Sequence, residues 1–473
     1  MPTHVRGLDR ILDGGLFVGD AYLIAGEPGT GKTTLGNHLA FAHAAAGGRV
    51  LFATILTESH DRMLAHLDGF AFLDRAYVGE QIHYISLLSA LQDGKLEGML
   101  QTLIDTVRRF KPTLLVVDGT GVARSFAGSD FDFAFFIHGL QARTALLGCT
   151  TILLASAQEA DGATTHVDGV IRLSNVSTLA QDTRSLRVLK LRGSQYLNGQ
   201  HAFAIGPSGV TVFPRLESVF TNLVPQPLRA DVRMSFGIPS FDTMVTGGAA
   251  QRSSTLVLGP PGAGKTIFGL HFLAAGAQQG EPGLIATFQE TPPDLASTAD
   301  RVGIDLAPHL DSGLVSVLWR SPLEFEPDEW AAQLLAMIDE RQIRRLVIDA
   351  LSDLFRLFVV PARKTAFAQA LTIALRDRGV TTLVLLEIDA ISSQQLTLPI
   401  PNLSAAMDMA VLLRTIELNS TLRRLMSVLK QRESGFDPVI REFEISSGGI
   451  TVGDPFDASG LLGGAAIPSG GAM

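Results

Sequence analysis

GEPGTGKT at residues 26–33 and GPPGAGKT at residues 259–266 both read G-x-x-x-x-G-K-[ST], the pattern of a loop that cradles nucleotide phosphates. The glycines (Gly26, Gly29 and Gly31; Gly259, Gly262 and Gly264) let the backbone curl so that successive N–H groups face phosphate oxygens. Thr30 and Ala263 complete the curl, and Thr34 and Ile267 open the helix whose positive dipole end adds to the field. Lys32 and Lys265 are placed to reach the β and γ phosphates, and the hydroxyls of Thr33 and Thr266 to ligate Mg²⁺. The metal also needs a carboxylate at the end of a neighbouring strand. Asp118 ends LLVVD and Asp349 ends LVID, so both take that role. Hydrolysis further requires a base for the attacking water, and Glu58 and Glu290 follow an apolar run in each half. The cofactors expected are therefore ATP and Mg²⁺, twice over.

The elements that must hold these residues are also written twice. Lys32 and Lys265 stand 233 residues apart, as do Gly15 and Gly248 upstream. Asp118 and Asp349 are 231 apart, and LKLRGS and LKQRES recur at a spacing of 240. Blocks that return in one order at nearly one offset mark a duplicated domain. The first copy is expected over residues 1–215 and the second over 232–453, with a proline-bearing linker at 216–231 and a Gly/Ala/Ser-rich tail at 454–473. DAYLIAG, RVLFATI, TLLVVDG and CTTILLAS, with STLVLG, PGLIATF, RRLVIDA and TTLVLLE, are continuously apolar, as buried parallel strands are. Helical stretches such as TTLGNHLAFAHAAAGG lie between them. The fold class predicted is α/β, with two mainly parallel sheets flanked by helices.

Composition narrows the setting. The chain has 473 residues, one cysteine, and 47 acidic against 38 basic residues for a net charge of −9. One cysteine excludes an intrachain disulfide framework, and Cys149 in LLGCTTILLA reads as a buried core thiol. No uninterrupted apolar run reaches about 18 residues, and no basic-then-apolar leader opens the chain. A cytoplasmic protein without a membrane contact is expected. Acidity argues against nucleic acid as a partner, and the segments EADGATTHVDGV and IDAISSQQLTLPIPNLS, where a pore-lining DNA grip would lie, contain no Lys or Arg.

Tandem phosphate-loop domains, a GG pair ahead of the first strand, ATFQETPPD after strand two and K-x-R near the end of each copy together resemble the KaiC family, clock ATPases and autokinases of the wider KaiC/RadA/RecA-like superfamily. The likeness runs to about residue 453. It implies two RecA-like domains, a homo-hexamer with ATP between neighbouring subunits, and regulatory protein partners. It also implies a Lys and an Arg supplied by the adjacent subunit, here Lys190 with Arg192 and Lys430 with Arg432.

This chain departs from the family pattern at three places. Where the family has two adjacent glutamates, it reads Thr57-Glu58 and Gln289-Glu290. Where the second family domain carries an acceptor Ser-Thr pair, it reads Ser404-Ala405, so Ser404 is the remaining candidate phosphoacceptor. The tail shows no match to the segment through which the family is switched by its activator. The leading expectation is an ATP-hydrolysing ring acting as a signalling or circadian-clock-type switch, with weak or absent serine autophosphorylation in the second copy. A regulatory scaffold with negligible turnover and a RecA/RadA-type DNA-handling ATPase are the alternatives.

Overall fold

The computed structural model describes residues 1–55, 59–157, 165–177, 182–221, 223–321, 325–358, 360–388, 406–418, 420–432 and 434–456. Of the residues singled out above, Thr57, Glu58, Ser404 and Ala405 lie outside the described residues, as do residues 158–164 and 389–405 of the two pore-type segments.

The chain divides into two compact units, Met1–Val219 and Phe220–Met473. In the first unit, nine strands form one sheet. They are β1 (Ala21–Gly26), β2 (Val50–Thr54), β3 (Ile82–Ser86), β4 (Leu114–Asp118), β5 (Thr150–Ala155), β6 (Gly169–Ser177), β7 (Asp182–Leu191), β8 (His201–Gly206) and β9 (Gly209–Phe213). Their order is β3-β2-β4-β5-β1-β6-β7-β8-β9. The six strands from β3 to β6 are parallel, and β7, β8 and β9 continue the sheet as an antiparallel meander.

The second unit opens with an antiparallel pair, β10 (Arg229–Met234) and β11 (Ala249–Gln251). Its main sheet uses β12 (Ser254–Gly259), β13 (Gly283–Thr287), β14 (Val315–Trp319), β15 (Arg345–Asp349), β16 (Thr381–Glu387), β17 (Met409–Leu418), β18 (Thr421–Gln431), β19 (Arg441–Ser446) and β20 (Gly449–Pro455). The order β14-β13-β15-β16-β12-β17-β18-β19-β20 repeats that of the first unit strand for strand. The stretch at 216–231 is not wholly irregular, since a short helix, Leu216–Val219, and the start of β10 fall in it.

Both faces of the parallel strands are covered, which is why those strands read as unbroken apolar runs. Successive side chains of a strand alternate faces. On one face Tyr22, Ile24, Phe52, Val116 and Ile152 pack with Leu35, Leu39 and Phe41 of the helix Lys32–Ala45. On the other, Leu23, Leu51, Leu115 and Leu153 pack with Leu103 and Val107 of the helix Leu88–Phe110 and Phe136 of the helix Asp130–Leu146. Cys149 lies in that second layer, and burial pushes its thiol up to about 12. Its role is packing. The outcome for chemistry is positional: β1 with β4, and β12 with β15, end on one edge of their sheet, where the loops that follow them meet.

Candidate functional site

In each unit a short loop carries the chain from the strand into a helix, and the last residue of that loop is a glycine in the left-handed region. Gly31 has φ +95° and Gly264 has φ +97°, and each is the residue ahead of its helix, Lys32–Ala45 or Lys265–Gln278. A Cβ at Gly31 would also stand 2.5 Å from Ile205 Cδ1, and one at Gly264 2.7 Å from Ile445 Cδ1. Neither turn tolerates a side chain.

The lysine and the hydroxyl both lie at the phosphate loop. Lys32 Nζ donates to the carbonyls of Gly26 (2.8 Å) and Glu27 (3.0 Å), and Lys265 Nζ to those of Gly259 and Pro260 (both 2.9 Å). Each ammonium is thus folded over the mouth of its own loop. Thr33 Oγ1 donates to Asp118 Oδ2 at 2.7 Å, and Thr266 Oγ1 to Asp349 Oδ2 at 2.6 Å. Hydroxyl and carboxylate from two different elements therefore meet, a hard all-oxygen donor pair of the kind Mg²⁺ takes together with phosphate oxygens and water. Among the described residues no cluster of three or more His, Cys, Asp or Glu side chains could hold a metal.

Electrostatics separates the two sites. Burial raises the carboxyl of Asp118 above its ordinary range, opposed by the Thr33 hydrogen bond and by Lys32. Burial raises Asp349 as well, but there Asp353 and Glu387 add to the upward push against Thr266 and Lys265. Burial lowers the Lys265 ammonium, opposed by Glu387 and Asp349. Glu387 ends β16 in register with Gly259, the first glycine of the loop. At the matching positions of the first unit stand Val122 and Ser156, each at the 231-residue offset that relates Asp118 to Asp349. The second site is the more acidic one. Neither Asp353 nor Glu387 was singled out from sequence, although the repeat offset places both beside residues that were.

Glu290, three residues past β13, is half-buried, and its carboxyl is raised chiefly by burial and further by Asp349 and Asp294. Its Oε2 is buried without a hydrogen-bond partner. The residue before it, Gln289, donates its amide Nε2 to Asp353 Oδ2 at 2.7 Å.

The K-x-R pairs are held at a different place. Lys190, at the end of β7, donates to Val167 O at 2.6 Å, and Arg192 Nη1 lies 3.3 Å from Asp168 Oδ1. Asp168 is tied to the start of β1, accepting from Ala21 N through its carboxylate and donating its own N–H to Ala21 O. In the second unit Lys430 donates to Met407 O at 2.8 Å, and Arg432 Nη1 lies 4.0 Å from Asp408 Oδ1. Asp408 in turn accepts from Ser254 N at the start of β12. A bulge precedes each lysine, where the β6–β7 and β17–β18 registers shift between Val170 and Ile171 and between Ala410 and Val411. Bulges re-aim side chains, and here the same one recurs in both copies. The pairs and the phosphate loops therefore lie at opposite ends of one strand, β1 or β12, about 17 Å apart along it. The structure does not bring Lys190, Arg192, Lys430 or Arg432 to the phosphate loop of their own unit.

No helix among the described residues is long and apolar enough to cross a membrane. A family model described as the KaiC ATPase matches residues 1–217 and, a second time, residues 234–456. The circadian clock oscillator protein KaiC of Rippkaea orientalis is 26% identical over 96% of this chain and 88% of its own length. That of Picosynechococcus sp. is 27% identical over 96% and 89%, and the circadian clock protein KaiC3 of Synechocystis sp. 26% over 98% and 94%. The family's ATPase chemistry implies ATP with Mg²⁺, and the loop lysine, hydroxyl and strand-end aspartate stand together in both matched copies. This chain belongs to the KaiC ATPase family.

Proposed function

We propose that this chain hydrolyses ATP in both units as a homo-oligomeric ring of the hexameric kind, each nucleotide being shared between neighbouring subunits, and that the ring acts as a signalling or clock-type switch. The observation that carries the assembly is the placement of the K-x-R pairs. Lys190 with Arg192, and Lys430 with Arg432, are anchored through Asp168 and Asp408 at the end of the strand remote from their own phosphate loop. Basic residues so placed serve a phosphate only if it belongs to another subunit. Hydrolysis then waits on correct assembly, as with an arginine finger supplied in trans.

Within each site the loop amides and the lysine hold the phosphates. Thr33 with Asp118, and Thr266 with Asp349, would hold Mg²⁺, which when bound neutralises charge on the β and γ phosphates. Glu58 and Glu290 take the proton of the attacking water. The clock role is supported by the names of the relatives. Gln289 lacks the carboxylate that transfer to a hydroxyl needs, so hydrolysis dominates in the second unit and phosphorylation of Ser404 is minor or absent.

Mixing two defective subunits tests the shared site. With first-unit turnover silenced by Glu58→Gln in both, Lys265→Ala and Arg432→Ala proteins each release little phosphate. Mixed and reassembled, they regain a substantial fraction of parental activity at interfaces that pair an intact loop with an intact arginine. A mixture no more active than the separate proteins contradicts the proposal.

A further inference from the structure

We propose that Asp353 is a positioning residue for hydrolysis in the second unit: it takes the amide N–H of Gln289 and so presents the Gln289 carbonyl oxygen, as an acceptor, to the attacking water. This rests on the reading of the second unit as a hydrolytic site.

Asp353 lies on the short helix Leu351–Arg356, which begins two residues after Asp349. Its side chain is 5% exposed, with one oxygen 2.7 Å from Gln289 Nε2 and the other 3.3 Å from Arg356 Nη1. A carboxylate only accepts, so the end of the amide that meets Asp353 has to be the NH₂ end. The carbonyl end is left for another partner. Beside it stands Glu290, with a buried oxygen lacking any hydrogen-bond partner. The two side chains divide the work on one water. Gln289 accepts one of its protons and fixes its lone pair, while Glu290 accepts the other as the water oxygen bonds to the γ-phosphorus. The bond from that phosphorus to the bridging oxygen breaks, and its electron pair leaves with ADP. A neutral amide suits the orienting part, because a second carboxylate next to Glu290 and Asp349 would repel their charge. The first unit cannot do this, since its counterpart of Asp353 is Val122.

The test uses the full chain with ATP and Mg²⁺, with Glu58→Gln silencing the first unit, and follows kcat, KM and melting temperature. Asp353→Val, which copies the first unit, is expected to lower kcat roughly 10- to 100-fold with KM for ATP little changed, as loss of orientation does. Gln289→Glu is expected to fall likewise, because two carboxylates then face each other. The double variant Gln289→Glu with Asp353→Asn restores a donor–acceptor pair in the reverse sense and recovers part of the rate lost in Gln289→Glu, the charge left beside Glu290 accounting for the rest. The inference is overturned if Asp353→Val turns over within 2-fold of its parent. It is overturned equally if the double variant is no faster than Gln289→Glu alone, a comparison that stands even if Asp353→Val does not fold. A parent that binds ATP and releases no phosphate removes the hydrolytic reading itself, whereas a working parent with an indifferent Asp353→Val removes only this inference.

Discussion

Thr266 and Asp349, separated by 83 residues in the chain, meet through a 2.6 Å hydrogen bond from hydroxyl to carboxylate. The contact joins the first turn of the phosphate-loop helix to the end of a strand two places away in the sheet, and Thr33 with Asp118 repeats it. Thr266→Val removes the hydroxyl without changing side-chain size. The Mg²⁺ concentration needed for half-maximal turnover in the second unit should rise roughly 10- to 100-fold. A titration of phosphate release against Mg²⁺ reads this directly.

Asp349 is also a case of function opposing stability. Burial pushes its carboxyl up, so above the ordinary carboxylate range the charged form opposes folding. That opposition is absent at low pH, where folded and unfolded forms are both protonated, and grows as pH rises between the unfolded and folded values. Asp349→Asn should therefore melt a few degrees higher than the parent near neutral pH in Mg²⁺-free buffer, while losing turnover. A lower melting temperature would show that the ionised carboxylate helps to hold the fold.

The pH profile of the second unit should carry the signature of Glu290. Its carboxyl is raised by burial first and by Asp349 and Asp294 after that. A base works only when deprotonated, so kcat should fall on the acid side at a pH above the ordinary glutamate value of 4.5. Asp294 is exposed, and Asp294→Asn removes one of the charges that raise Glu290. The acid limb should then move to lower pH. A limb in the ordinary range, unmoved by Asp294→Asn, would mean that another group takes the proton.

Asp408 should be the more fragile of the two K-x-R anchors. It is buried, with Arg376 Nη2 2.5 Å from one carboxylate oxygen, which also accepts from Ser254 N. In the first unit Gln141 stands opposite Asp168 in place of an arginine. Asp408→Ala leaves a largely buried guanidinium without its counter-charge, at a cost of about 3 kcal/mol or more. Asp168→Ala, facing a neutral amide and an exposed Arg192, should cost less. Chemical denaturation of the two variants checks the order.

The architecture was readable because its signals are local or repeated. An apolar strand, a glycine loop and a lysine in succession identify a phosphate site without help from the rest of the chain. The 231- to 240-residue offsets carried that reading from one copy to the other. What escaped were residues whose roles arise only when distant segments meet. Asp353 looks like any polar position in LSDLF until the fold sets it against Gln289. Glu387 is a strand-end glutamate until its register puts it opposite Gly259. Asp168 and Asp408 precede apolar strands without announcing that they clip the basic pair to the start of β1 or β12. Laid over Val122 and Ser156, the first two would have shown that the copies are not equivalent in charge.

The most direct test of two working but unequal sites is to incubate the full chain with γ-labelled ATP and Mg²⁺, following free phosphate and protein-bound label together. Wild type, Glu58→Gln, Glu290→Gln and Ser404→Ala form the set. Phosphate release should fall in each glutamate variant, by roughly 100-fold or more at the site affected. The other site sustains the remainder, and little label is retained in any protein. ATP binding with no phosphate release from wild type would contradict this account and leave a nucleotide-held scaffold. Heavy retained label, lost in Ser404→Ala, would show a kinase working despite Gln289.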